Sequence, residues 1–169
     1  MKVILYMAVS ADGFIARKDG SVDWTSKDTW KSYFDFCKKT GNLIIGKKSY
    51  DIMPVEEFRD NCFYVVVSHK SDAKKKTSNI VFTDKSPKEI VEFLKNKGFD
   101  EVGIGGGAII NSLFMSENLI DEIYLDVEPV ILGEGIRLFS EDNFDKRLIL
   151  ESSKKFLSGM VHNHYIVKK

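Results

Sequence analysis

The sequence predicts a single α/β domain in which helices flank one mixed, mostly parallel β-sheet. Short continuous apolar segments recur along the chain, as in strands that are buried on both faces. Segments with helical periodicity alternate with these strands. The chain ends in two extended segments, 147–157 and 160–168, joined at Ser158-Gly159, which predict a C-terminal antiparallel hairpin.

The first half of the chain supplies four of the predicted strands. Residues 3–9 form a continuous apolar run that predicts a buried strand, followed by two Asp-Gly turns. Aromatic residues are spaced as one face of a helix over 28–39, and Gly41 fits its C-terminal cap. Further strands are predicted at 42–46, 62–68 and 79–83, with a short helix from Lys47.

The second half begins with a clear helix start. Ser86-Pro87-Lys88-Glu89 is a capping box with proline at the first helical position, and Gly98 ends that helix. Residues 101–104 predict a short strand that runs into three glycines and another helix. A long strand over 122–132 precedes the final hairpin.

Length and composition predict one domain, residues 1–169, and exclude several functional classes. The 169 residues are 43% apolar and 30% charged, as in ordinary globular proteins. Lys plus Arg and Asp plus Glu both number 25, so no net charge attracts nucleic acid or anionic lipid. No apolar segment approaches the roughly 20 residues that span a bilayer, and no signal peptide is recognisable. We therefore expect a cytoplasmic protein that binds neither nucleic acid nor membrane.

The glycine-rich segment 103–108 is the strongest indication of function. Three consecutive glycines follow a predicted strand and open a predicted helix, where a phosphate can approach the backbone and the helix N-terminus. The segment also matches G-x-G-x-x-A, with Asp126 about twenty residues on, as in a Rossmann fingerprint. We reject a Rossmann domain because only one strand and a hairpin follow. A tight turn that binds no ligand is the alternative.

Two basic segments follow the ends of other predicted strands. Lysines at 47 and 48 begin a short helix, where they oppose the helix dipole unless an anion is bound. Residues 68–70 end a strand and open a lysine-rich segment that could hold a further phosphate. Ligands of α/β sheets bind at the carboxyl ends of strands, so these segments predict a phosphate-bearing ligand. Solvated lysines on surface loops are the alternative.

Cysteine and histidine indicate no metal site. Cys37 and Cys62 are far apart in sequence and form no C-x-x-C motif, so we expect two buried free thiols. His162 and His164 share one face of the final predicted strand. Two ligands without a third make a poor metal site, so we expect these histidines on a solvated strand face.

Five segments, taken in order, resemble the dihydrofolate reductase superfamily, and within it the reductase domain of riboflavin biosynthesis. Residues 10–16 (SADGFIA) resemble its S-x-D-G-x-I-A motif, and residues 44–50 (IIGKKSY) resemble its cofactor-phosphate segment. Residues 66–68 are similar to the strand end beside the 2′-phosphate. Residues 105–107 and 129–135 resemble its glycine turn and its P-x-x-x-G-x-G stretch. The resemblance covers nearly the whole chain and implies a dihydrofolate reductase-like fold.

This resemblance also implies an activity. It implies NADPH as the cofactor, a homodimer, and hydride transfer to a pteridine or an aminouracil-type substrate, as in a 5-amino-6-(5-phosphoribosylamino)uracil reductase. Ala8 and Ile15 would flank the nicotinamide. The residues expected to bind the cofactor are Ala8, Ile15, Gly46, Lys47, Lys48, Ser49, Ser68, His69, Lys70, Gly105, Gly106, Gly107, Ala108 and Ile109.

Two acids are candidates for the proton that accompanies hydride transfer. The resemblance places a carboxylate early in the first helix beside the substrate, and Asp28, which follows Trp24, is the nearest match. A first-turn acid favoured by the helix dipole is the alternative for Asp28. Asp12 is the second candidate, although an Asp-Gly turn also explains it. The residues expected to bind the substrate are Trp24, Asp28, Leu132 and Gly133.

The sequence departs from the family pattern in several places. Lys47 replaces an arginine, which removes bidentate phosphate recognition. The segment after Tyr50 is shorter than in riboflavin-pathway reductases, and the tyrosine that follows the double glycine in dihydrofolate reductases is absent. A true dihydrofolate reductase and a dinucleotide-binding module without catalysis therefore stay open as alternatives.

Overall fold

The computed structural model describes residues 1–69 and 77–169. Its strands are β1 (Lys2–Ser10), β2 (Phe14–Ala16), β3 (Asn42–Gly46), β4 (Phe63–Val67), β5 (Ile80–Thr83), β6 (Glu101–Ile104), β7 (Glu122–Glu128), β8 (Ile136–Arg137), β9 (Leu148–Lys155) and β10 (Val161–Val167). Its helices are α1 (Lys27–Thr40), α2 (Lys47–Ile52), α3 (Pro87–Asn96) and α4 (Ala108–Ser116), with a 3₁₀ turn at Val55–Glu57.

Eight strands form one sheet in the order β5-β4-β3-β6-β1-β7-β10-β9. All neighbours are parallel except β10, which runs antiparallel to both β7 and β9. The predicted mixed, mostly parallel sheet with a C-terminal hairpin is therefore confirmed. None of the described helices is long and apolar enough to cross a membrane.

The sheet has a hydrophobic core on each face. On one face, Tyr33, Phe36 and Cys37 of α1 pack on apolar side chains of β1, β3 and β4. On the other face, α3 and α4 contribute Ile90, Leu94, Ile110 and Phe114 to a second core. Strands covered on both faces must be apolar throughout, which is why β1, β3 and β4 read as continuous apolar runs.

The ends of the helices follow the local sequence closely. Ser26 is the N-cap of α1, where its side chain accepts a hydrogen bond from the Thr29 backbone. Gly41 adopts the predicted left-handed cap with φ of 66°, and its N–H donates to the Cys37 carbonyl. The capping box of α3 is also confirmed, because Ser86 and Glu89 exchange hydrogen bonds.

One predicted strand is too long, and one small sheet was not predicted. The strand predicted over 122–132 ends at Glu128, because Pro129 has no N–H to continue the ladder. The chain then forms a separate two-stranded sheet from β2 and β8, which the sequence did not indicate.

The cysteines are buried and free, as predicted. They are nevertheless neighbours in one buried cluster, where each thiol affects the pKa of the other. The Gly41 N–H donates to Cys37, and the Gly41 carbonyl accepts from Phe63. These hydrogen bonds join the end of α1 to the start of β4 and bring together two residues that are distant in sequence.

The expectation of a solvated face for His162 and His164 is wrong. The Nδ1 atom of His162 lies 2.6 Å from Asp126 Oδ1, and Nε2 of His164 lies 3.0 Å from Glu122 Oε2. Both carboxylates are buried. The acidic residues of β7 and the histidines of β10 alternate onto the same face, so antiparallel pairing brings them together.

We predict that Glu122→Gln destabilises the protein in a pH-dependent way. Burial opposes ionisation of Glu122, but hydrogen bonds and charge from Lys2 and His164 outweigh it and lower its pKa. A depressed pKa contributes stability above the unfolded-state pKa of 4.5, and that stability is lost as the pH falls through the folded-state pKa. The free energy of unfolding should fall by about 2 kcal/mol at neutral pH.

Urea denaturation of both proteins at neutral pH and below the unfolded pKa measures this effect. The difference should shrink in acid. Asp35→Asn, which removes an exposed ion pair with Lys31, is the control and should change stability little. An equal difference between wild type and Glu122→Gln at both pH values would contradict the assignment.

Candidate functional site

The glycine turn, residues 105–107, lies at the carboxyl end of β6 between β1 and β3. A Cβ atom on Gly105 would lie 2.8 Å from Leu43 Cδ2, and one on Gly106 would lie 2.8 Å from Met7 Sδ. Gly106 also has φ of 88°, which L side chains rarely adopt. A side chain at Gly105 would have to displace Leu43, and Gly106 favours glycine for both its packing and its φ. At Gly107 the nearest atom to such a Cβ is Ser49 Oγ at 3.5 Å, so this side of the turn has room.

Hydrogen bonds attach the glycine turn to the end of β3. The N–H of Gly105 donates to the Ile44 carbonyl at 2.9 Å, and the Gly46 N–H donates to the Gly106 carbonyl at 2.7 Å. Ser49 of α2 and Ile15 of β2 lie beside Gly107. The structure thus brings together the predicted cofactor residues Ile15, Gly46, Ser49 and the three glycines.

The first turn of α4 follows the glycine turn directly. Gly107 is the N-cap and offers no side chain to the free N–H groups of that turn, and no acidic residue lies there. Ala108 and Ile109 begin the helix, and Ile109 is 66% exposed. Unpaired N–H groups and the positive end of the helix dipole suit this position to an anion such as a phosphate.

The structure gives less support for phosphate binding by the two basic segments. Lys47 Nζ lies 2.6 Å from Asp51 Oδ2, so a carboxylate one turn on already balances its charge. Lys48 is exposed. Ser68 and His69 follow β4, the strand next to β3, at the same edge of the sheet. Lys70 lies outside the described residues.

Asp12 accepts hydrogen bonds from two parts of the chain. Its Oδ1 accepts from Ser10 Oγ at 2.6 Å, and its Oδ2 accepts from the Gly133 N–H at 2.7 Å, with the Leu132 N–H shared between both oxygens. The Ser10 hydroxyl and these two N–H groups lower the pKa of Asp12 against the opposing effect of desolvation. An ionised, fully engaged carboxylate is a poor proton donor, so this geometry does not support an acid role. The same bonds occupy the N–H groups of Leu132 and Gly133 that a substrate would use.

Asp28 lies in the first turn of α1 and is partly buried. Its Oδ2 accepts a hydrogen bond from Ser158 N at 3.2 Å, in the turn of the β9–β10 hairpin. Ser26, rather than Asp28, caps the helix. The indole N–H of Trp24, in the loop before α1, is buried and has no hydrogen-bond partner among the described residues.

Two buried acids of β7 were not predicted from the sequence as site residues. Glu128 Oε1 accepts from Ser26 N at 2.7 Å and from Thr29 Oγ1 at 2.6 Å, which fixes the start of α1 over the sheet. Asp126 is fully buried, accepts from the Tyr6 hydroxyl and lies beside Ala8 of β1. The alternation of polar and apolar residues over 122–128 was the available signal, because it marks one polar strand face.

Known proteins resemble this chain in sequence and in fold. The family model described as the RibD C-terminal domain matches residues 1–162. The uncharacterized protein YwjB of Bacillus subtilis (strain 168) is 33% identical over 172 residues, covering 98% of this chain and 97% of its own. A putative riboflavin biosynthesis protein from Shewanella sp. PV-4 has a TM-score of 0.85 at 24% identity, with 100% of both chains covered. Dihydrofolate reductase from Enterococcus faecalis, complexed with NADP(H), has a TM-score of 0.74 at 16% identity, covering 99% of this chain and 97% of its own. The dihydrofolate reductase-like fold is confirmed.

We predict that alanine is tolerated unequally along the glycine turn. Gly105→Ala should lower the free energy of unfolding by about 1–3 kcal/mol, because the new methyl group overlaps Leu43. Gly107→Ala should stay within about 0.5 kcal/mol of the wild type, because its methyl group meets only ordinary contacts. Urea denaturation of the two variants compares them directly, and equal stabilities would contradict the described packing of the turn.

Proposed function

This chain belongs to the RibD C-terminal domain family, and on that premise we propose that it is a cytoplasmic NADPH-dependent reductase acting on a pteridine or an aminouracil-type substrate of the riboflavin pathway. The observation that carries the proposal is the glycine turn. Its backbone carries no side chains at the carboxyl end of the sheet. It leads into α4, whose first N–H groups lack a side-chain cap.

The glycine turn fits the phosphates of a dinucleotide. Gly105 and Gly106 are packed from behind by Leu43 and Met7, so the turn presents backbone rather than side chains to the open side of Gly107. There the N–H groups of residues 107–109 would bind a pyrophosphate, with Ser49 Oγ beside them. The exposed Lys48 and His69, together with Lys70, would favour a cofactor with a 2′-phosphate.

The neighbouring apolar residues suit a nicotinamide ring. When bound, NADPH supplies the hydride. Ala8 is partly exposed on β1, and Ile15 is buried on β2 beside Gly107, so these two side chains would flank the ring and exclude water.

The substrate side combines one hydrogen-bond donor and one acid. The buried indole N–H of Trp24 lacks a partner among the described residues, and leaving such a donor unpaired costs about 1–3 kcal/mol. A carbonyl or ring nitrogen of a heterocycle would recover that free energy. Asp28 would donate a proton or hydrogen bond to a ring nitrogen, with the Ser158 N–H orienting its carboxylate.

The β9 edge supports a homodimer. All its residues are exposed, among them Leu148, Ile149 and Leu150 at 41%, 46% and 55%. Leu148 and Leu150 lie on one face of the strand and Ile149 on the other, so this end of the edge strand is apolar on both faces, which is unusual in a monomer. We propose that a second copy of the chain covers it, which sedimentation of the wild type and of Leu150→Lys tests.

The proposed activity predicts both a cofactor preference and a substrate. NADPH should bind at least about tenfold more tightly than NADH, because Lys48 and Lys70 would offer positive charge, and His69 a hydrogen bond, to a 2′-phosphate that NADH lacks. Calorimetry measures both affinities. Loss of NADPH absorbance should follow addition of 5-amino-6-(5-phosphoribosylamino)uracil, and dihydrofolate is the competing substrate.

Gly107→Val tests whether NADPH binds at the glycine turn. Its side chain fills the open side of the turn, so the variant should fold and fail to bind NADPH. Equal affinity for NADPH and NADH would contradict the cofactor assignment. Binding of NADPH without oxidation by any pteridine or aminouracil would instead favour a dinucleotide-binding module.

Asp28→Asn should lower turnover by about a hundredfold, with NADPH affinity and stability nearly unchanged, because Ser26 and not Asp28 caps α1. Asp35→Asn on the same helix, where the carboxylate is exposed and pairs only with Lys31, is the control. Steady-state kinetics compares the two variants, with the substrate that oxidises NADPH in the wild-type assay. Normal turnover in Asp28→Asn would remove the acid role.

A further inference from the structure

A small flap lies against the glycine turn. We define the flap as residues 11–18, which contain β2, and residues 129–138, which contain β8. Its two halves leave the main sheet side by side, because Ser10 and Glu128 are partners at the ends of β1 and β7. They then pair with each other, Phe14 with Arg137 and Ala16 with Ile136.

Asp12 joins the two halves of the flap through the backbone. It belongs to the first half, yet its carboxylate accepts the N–H groups of Leu132 and Gly133 in the second half, at 2.7 Å for Gly133. Ser10 Oγ holds the carboxylate at 2.6 Å and accepts the Phe14 N–H at 2.9 Å. Hydrogen bonds from backbone N–H groups to an ionised carboxylate are among the stronger ones in proteins.

An ion pair also crosses the flap, but it is solvent-exposed. Lys18 Nζ lies 2.6 Å from Glu134 Oε2, and both side chains are 69% exposed. Exposed ion pairs contribute little to stability. Glu134 therefore offers a carboxylate in the same flap that can be removed without touching the backbone hydrogen bonds.

The flap also contacts the glycine turn and α4. Ile15 Cδ1 lies 3.9 Å from the position of a Cβ on Gly107. Asn111, which is fully buried in α4, donates from Nδ2 to the Leu138 carbonyl at 2.7 Å. The Leu138 N–H in turn contacts the Gly13 carbonyl at 3.3 Å. Through these contacts the flap links α4 to Ile15, which borders the open side of the glycine turn at Gly107.

We propose that Asp12 is a positioning residue that latches residues 129–135 to the β1–β2 turn and so holds Ile15 against the glycine turn. This inference rests on the proposed function, because the site that Ile15 borders is the proposed cofactor site. Apparent affinity falls in proportion to the fraction of molecules in the binding-competent arrangement. A loosened latch therefore weakens cofactor binding without removing any group that touches the cofactor.

Two variants and one control test the latch. Asp12→Asn keeps the shape but replaces one accepting oxygen with an amide NH₂ group, and Ser10→Ala removes the hydroxyl that holds the carboxylate. Glu134→Gln is the control. NMR hydrogen exchange of the Leu132 and Gly133 amides in NADPH-free protein reports the latch directly, and calorimetry reports NADPH affinity.

In both test variants we expect these two amides to exchange at least about tenfold faster and NADPH to bind about tenfold more weakly. Glu134→Gln should change neither value. If circular dichroism shows Asp12→Asn to be unfolded, Ser10→Ala alone tests the proposal.

Each other outcome overturns a specific claim. Unchanged exchange at Leu132 and Gly133 would show that the latch contributes nothing. Faster exchange with unchanged NADPH affinity would make Asp12 a residue of a local turn with no influence on the site. Wild-type protein that fails to bind NADPH would overturn the proposed function, and the inference with it, before any variant is compared.

Discussion

The close packing of the glycine turn between β1 and β3 is the constraint on which the site depends. Neither Gly105 nor Gly106 has room for a Cβ atom, since Leu43 and Met7 fill the space behind them. The backbone of the turn is therefore pressed into the end of the sheet while its other side stays open at Gly107. Hydrogen bonds from Gly105 and to Gly106 fix this arrangement to β3. The start of α4, the end of β3 and the side chain of Ile15 converge on one point as a result.

Buried carboxylates on β7 and the latch at Asp12 position the elements around that point. Glu128 holds the start of α1, and with it Asp28, at the carboxyl edge of the sheet. Asp126 and Glu122 pair with histidines of β10 and fasten the hairpin whose turn contacts Asp28. Acids in this molecule thus act mainly by accepting hydrogen bonds from fixed donors. Among the acids considered as proton donors, Asp28 has the fewest such contacts.

The sequence specified the features that depend on local or periodic signals. The apolar runs of β1, β3 and β4, the caps of α1 and α3, and the glycine turn before α4 are encoded within a few residues of where they form. The contacts between Cys37 and Cys62, between His162 and Asp126, and between Asp12 and Gly133 depend on pairing across long separations in the chain. No local pattern fixes such a partner. The two short strands of the flap carry too few residues to show a strand pattern, so β2 and β8 were missed.

The central claim is that a dinucleotide binds at the glycine turn, and an NMR titration of the wild type with NADPH tests it most directly. We expect the largest backbone amide shifts at Gly107, Ala108 and Ile109, with side-chain methyl shifts at Ile15. NADPH that binds while these amides keep their shifts, with the changes confined to another part of the chain, would contradict the claim.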